Sequence, residues 1–204
     1  MATADPATRR PGLLTRFVGV GAVVGAILWP IALGNMAVRA ISVAREGGAG
    51  LAGSPIMPLA IALLLFSAAI AALERHATRE IRFPDLVGDL TIATATVVFV
   101  IAAVLDSYGL LGPGFVLLFI GSMIYGVAGF DGKRRPRWGS VLVGIGAGGL
   151  LASLLVPAAL GTDRVDGIMQ TALLSLLLYT IGWAWLGLHL ALARPLVSPP
   201  GEPS

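Results

Sequence analysis

Residues Ile56–Leu73 read IMPLAIALLLFSAAIAAL, and Glu74–Asp85 continue as ERHATREIRFPD. The first stretch holds eighteen residues without a charge, while the second carries six Asp, Glu, Lys or Arg residues in twelve. A helix needs roughly 20 mostly apolar residues to cross about 30 Å of hydrocarbon. A block of that length followed at once by charge is the signature of a chain leaving a bilayer.

Five further blocks match it: Phe17–Gly34, Val87–Leu105, Leu110–Phe130, Gly139–Leu160 and Ile168–Leu190. Backbone N–H and C=O groups cannot stay unpaired in lipid, so blocks of this length are expected as helices. The residue-by-residue alternation of a barrel strand is missing. Composition agrees. Of 204 residues 56% are hydrophobic and only 12% charged, and mean hydropathy is +0.88. That leaves too little polar surface for an ordinary soluble enzyme or a disordered chain. Cysteine is absent, which excludes disulfide frameworks and thiolate chemistry.

The net charge of +3 does not indicate a nucleic-acid partner, because its placement is topological. Assigning the connections alternately to two sides puts eleven Lys and Arg residues on one and three on the other. The first group comprises Arg9, Arg10, Arg16, Arg75, Arg79, Arg82, Lys133, Arg134, Arg135, Arg137 and Arg194; the second is Arg39, Arg45 and Arg164. Basic residues accumulate on the cytoplasmic side. The expected fold is therefore an all-α, six-transmembrane-helix bundle in the cell (inner) membrane, with both termini cytoplasmic. Residues 1–12 and 195–204, rich in Pro, Gly and Ser, are expected as mobile tails around a single domain spanning 13–194. Arg9-Arg10 before an apolar run resembles an export signal, but the run is longer than a usual signal core and is expected to be retained. Trp29, Tyr108 and Trp138 fall near the expected span ends, where interfacial aromatics belong. Ala37–Arg45 suits either a short interfacial helix or a continuation of the first helix past Pro30.

Gly21/Gly25, Ser122/Gly126 and Gly144/Gly148 each place two small residues on one helix face. Small faces let helices approach closely in lipid, so helices one, four and five are expected at the tightly packed centre. The same faces could serve a homo-oligomer or another membrane protein, which with the bilayer are the expected partners.

Asp89 is the only charged residue inside the blocks as drawn, and an intramembrane carboxylate is a functional candidate. It shares a face with Asp85, and both lie in the first turns of a helix, where the macrodipole alone favours acids. Asp89, Thr96, Ala103 and Ser107 form one stripe on helix three; Thr171, Ser175, Tyr179 and Trp183 form another on helix six. If the stripes faced each other they would line a pocket; Ser and Thr pairing within or between helices explains them equally well. Arg75, Arg79, Arg82, Lys133, Arg134 and Arg135 are candidate contacts for an anionic group. No DDxxD pair of the kind used by intramembrane prenyltransferases is present. Gly144-x-Gly146-x-x-Gly149 lacks the preceding strand that a dinucleotide site requires. No metal, cofactor or catalytic residue is expected.

The leading expectation is a small non-catalytic polytopic protein that packs beside, anchors or regulates a partner. A substrate-binding subunit or small transporter with a pocket between helices three and six comes second. An intramembrane enzyme for a lipid or isoprenoid comes third.

Overall fold

The computed structural model describes residues 13–46, 56–76, 82–131, 136–160 and 165–192. The described residues form six α-helices: α1 Leu13–Glu46, α2 Ile56–His76, α3 Phe83–Val104, α4 Leu111–Ala128, α5 Arg137–Leu160 and α6 Val165–Leu192. Each is long and apolar enough to cross a membrane. The expected tails lie outside the described residues. Of the two readings of Ala37–Arg45, continuation holds, because α1 runs unbroken through Pro30 to Glu46. Proline inside a membrane helix is tolerated where neighbouring groups take up the freed carbonyl.

The helices form a closed ring in chain order, each packed on its predecessor and successor, with α6 returning to α1 and also touching α2. The start of α1 meets the end of α6 closely. A Cβ on Gly19 would lie 2.7 Å from the carbonyl oxygen of Gly187 and 2.9 Å from Cβ of Leu190.

Local sequence explains where α3 begins and ends. Arg82 is the extended N-cap, Pro84 sits in the first turn, and the Arg82 backbone N–H donates to Oδ2 of Asp85 at 3.3 Å. Proline in the first turn loses no helical hydrogen bond, and an acid at the third position satisfies an orphan donor. At the other end Leu105 caps the helix, and the Ser107 N–H donates to the Ala102 carbonyl at 2.8 Å. Asp106 turns the chain with φ 47°. Asp is one of the few non-glycine residues that enter this left-handed region without prohibitive strain.

The small-residue faces are used inside the chain. Gly126 of α4 meets Gly144 of α5 so closely that a Cβ on Gly126 would lie 2.5 Å from the Gly144 Cα and 2.8 Å from the Ser140 carbonyl. Gly25 of α1 lies against Ala62, Leu65 and Phe66 of α2. Besides α1, α4 and α5, the helices expected at the tightly packed centre, α6 also belongs to it. Gly182 and Gly187 bring α6 onto α5 and α1, and Gly146 of α5 admits the Tyr179 backbone.

Replacing Gly126 with Val is expected to cost about 1–3 kcal/mol, since backbone cannot move aside as a side chain can. Gly34, which has nothing within 4 Å of a Cβ, should accept Ala without loss. Thermal melts of the detergent-solubilised variants check both.

Candidate functional site

The two polar stripes occupy different places. On α3, Asp85 is buried and belongs to the helix cap described above. Two turns beyond Asp89, the Thr96 hydroxyl donates to the Ile92 carbonyl at 2.9 Å. Its single hydrogen is thereby used, so the 2.8 Å contact with Ser67 Oγ of α2 is a hydrogen bond that Ser67 donates. This pair fixes the antiparallel register of α2 and α3. Glu74 lies seven residues after Ser67 and Asp89 seven before Thr96. Seven residues are close to two helical turns, so the two carboxylates come to one level of the same seam. They line a groove of about 220 Å³ walled by Ile70, Ala71, Leu86, Leu90 and Ala93. Glu74 escapes a reading that ends the second block at Leu73, yet α2 continues to His76 and its apolar span to Glu74.

On α6, Ser175, Tyr179 and Trp183 face inward and are buried. Tyr179 shares a 3.1 Å hydrogen bond with Ser122 of α4. Ser175 abuts Gly149 of α5. Thr171 is exposed, bonds back to the Gly167 carbonyl at 2.9 Å, and lines a second surface groove of about 280 Å³ with Ala152, Ser153 and Val156 of α5.

Aromatic rings fill the space among the helices. Trp183 stacks on Phe66 with ring centroids 4.5 Å apart and planes 6° from parallel, and on Tyr125 at 5.7 Å. Tyr179 contacts Trp29, Phe66, Phe119 and Trp183 at 5.9–6.5 Å. Trp29 also meets Phe115, which touches Phe119 and Phe99. Eight rings from five helices thus form one connected network. Helix α5 adds no ring but offers Val143, Gly146 and Ala147 as a low wall. Each ring pair adds about 0.5–1.5 kcal/mol beyond area burial.

Trp29 is 0% exposed, so its expected place in an interfacial belt is wrong. Its indole N–H has no hydrogen-bond acceptor among the described residues. Trp138 and Tyr108, by contrast, are exposed near helix ends. A ring rich in carbon is stabilised here by other rings, and α1 runs far enough past Trp29 that this residue lies inside the span.

Helix α3 packs on α2 and α4, whereas α6 packs on α5 and α1. The α4 rings Phe115 and Phe119 bridge Phe99 to Tyr179. The stripes therefore do not face each other; Thr96 is joined to α2 and Tyr179 to α4. Of the basic candidates, Arg82 is exposed at the start of α3. Arg79, Lys133, Arg134 and Arg135 and the Arg75 side chain lie outside the described residues. Among the described residues no three Asp, Glu or His side chains gather in a metal-binding group.

Comparison with known protein families, characterised proteins and solved structures finds no match.

Trp29→Ala is expected to destabilise the bundle by about 3–5 kcal/mol, and Trp138→Ala by less than about 0.5 kcal/mol. A double-mutant cycle of Ser122→Ala and Tyr179→Phe should give a coupling of about 0.6 kcal/mol, the usual worth of a hydrogen bond between membrane helices. Unfolding free energies in detergent or bicelles test all three.

Proposed function

We propose that this chain is a small, non-catalytic multi-pass membrane protein that acts by lateral association, as a packing, anchoring or regulatory partner. One observation carries the reading. The centre of the bundle, where a transported or reacting molecule would sit, is occupied by Trp29, Phe66, Tyr179 and Trp183, all fully buried. The described grooves lie instead at the α2/α3 and α5/α6 seams on the perimeter. A protein with a filled centre and recessed seams works through its outer surface.

The same reading places the chain in the cell membrane with the arginine-rich connections and both tails in the cytoplasm, on the positive-inside rule. A thiol introduced by Ser204→Cys should react with an impermeant maleimide only after the membrane is opened. One introduced by Gly109→Cys, in the turn before α4, should react from outside. The reverse pattern would invert the orientation.

Ligand screening separates this reading from a transporter or enzyme. A ligand at 100 times its Kd stabilises a protein by about 2.7 kcal/mol. Quinones, isoprenoid phosphates and amphiphilic amines are expected to leave the melting temperature of the nanodisc-embedded chain unchanged. A saturable rise with any of them would contradict the proposal.

A further inference from the structure

We infer that the end of the bundle where α5 begins binds one anionic phospholipid of the adjacent leaflet. Its phosphate rests on the Arg137 guanidinium, between the Phe130 ring and the indoles of Trp138 and Trp185. This site is additional to lateral association and stands apart from it.

The order of the helices brings the four side chains together. Phe130 lies in the single 3-10 turn Gly129–Asp131 that follows α4, Arg137 and Trp138 open α5, and Trp185 stands near the end of α6. Helix α5 packs on both α4 and α6. The Arg137 guanidinium carbon sits 4.6 Å from the centre of the Phe130 ring, within the range of a cation–π contact. Gly129, beside Phe130, lies against Ser140 in the first turn of α5. Across the other seam, Gly139 admits the edge of Trp185. A Cβ there would lie 3.2 Å from Cδ1 of Trp185 and 2.9 Å from the Leu186 side chain. Phe130 and Trp185 are thus level with Arg137 and Trp138 to within a helical turn. All four side chains are exposed, so they form one band on the perimeter and take no part in the ring-packed centre.

Depth and charge name the occupant. The apolar span of α5 starts at Arg137 and that of α4 ends at Ala128, so the band lies where hydrocarbon gives way to headgroups. Tryptophan favours that boundary. A guanidinium stacked on a ring uses its face, whereas its five N–H donors lie in the plane, in a fork that fits a phosphate. The segment Asp131–Arg137, DGKRRPR, carries four basic residues against one acid, a net +3. Pairing with Asp131 therefore cannot remove the positive charge of this end. The positive end of the α5 dipole points the same way. A lipid of net negative headgroup is drawn there, while phosphatidylcholine brings its own cation. Its acyl chains then lie along the exposed apolar side chains Ile145 and Ile181, which a free phosphate cannot use. In a bilayer that contains anionic lipid the site is already filled, so an added isoprenoid phosphate gives no further stabilisation.

Phosphatidylcholine vesicles holding a minor share of phosphatidylglycerol brominated on its acyl chains provide the test, because bromine quenches only the indoles it touches. Trp138 and Trp185 are exposed, and the buried Trp29 and Trp183 serve as the internal reference. The brominated phosphatidylglycerol is expected to be enriched about fivefold around the exposed indoles, relative to the same share of brominated phosphatidylcholine. Arg137→Gln should abolish the excess quenching, and Phe130→Leu should lower it about two- to threefold. Arg16→Gln, which removes a charge from the same end of the bundle, should leave it intact. Melting in detergent shows which variants are folded, and Phe130→Leu carries the comparison if Arg137→Gln is not. Equal quenching by the two lipids, a full excess in either variant, or an equal loss in Arg16→Gln overturns the site. Suppression of the excess by soluble glycerol phosphate would show a site for a free anion and overturns the lipid as its ligand.

Discussion

Lipid gives a helix nothing to hydrogen-bond with and no hydrophobic reason to leave for a neighbour. Backbone groups must be paired within each helix, and helices must then be held by contact alone. Every notable feature of this bundle answers that constraint. Glycines on α1, α4, α5 and α6 let backbones touch, as at Gly126–Gly144 and Gly19–Gly187. Where the ring of helices would otherwise enclose a void, eight aromatic side chains meet across it. Those two devices are complementary, since the ring-free wall of α5 is the one richest in glycine.

Polar groups follow the same logic. The Ser122–Tyr179 and Ser67–Thr96 pairs tie helices that already touch, and Thr91, Thr94 and Ser153 return their hydroxyls to a carbonyl one turn back. None of these residues needs a substrate to explain it. Asp85 is accounted for by the cap of α3. Glu74 and Asp89 meet at the seam between α2 and α3, on the perimeter of the bundle and away from its ring-packed centre.

Much of this was legible in the residues themselves. Run length identifies the six helices, and Pro84 with Asp85 marks the start of α3. The seven-residue spacing from Asp89 to Thr96 correctly indicates one helix face. It says nothing of the neighbour across from that face, and Ser67 and Glu74 supply that neighbour only once α2 and α3 are set in register. Trp29 misleads for a related reason. Its distance along the chain suits a membrane boundary, but α1 runs past it, and rotation about the helix axis turns the indole inward. The convergence of eight rings is invisible in any single segment, because each block carries only one to three of the rings involved. Tertiary registration, not local pattern, creates that core.

The middle of the bundle is a dry solid packed with aromatic rings. Proton exchange at the four tryptophan indoles tests it most directly, by nitrogen-15 NMR of the chain in nanodiscs transferred to D2O. The Trp29 and Trp183 N–H signals are expected to persist for hours while that of Trp138 is lost at once. Exchange of Trp29 and Trp183 as fast as Trp138 would reveal water among the helices and contradict it.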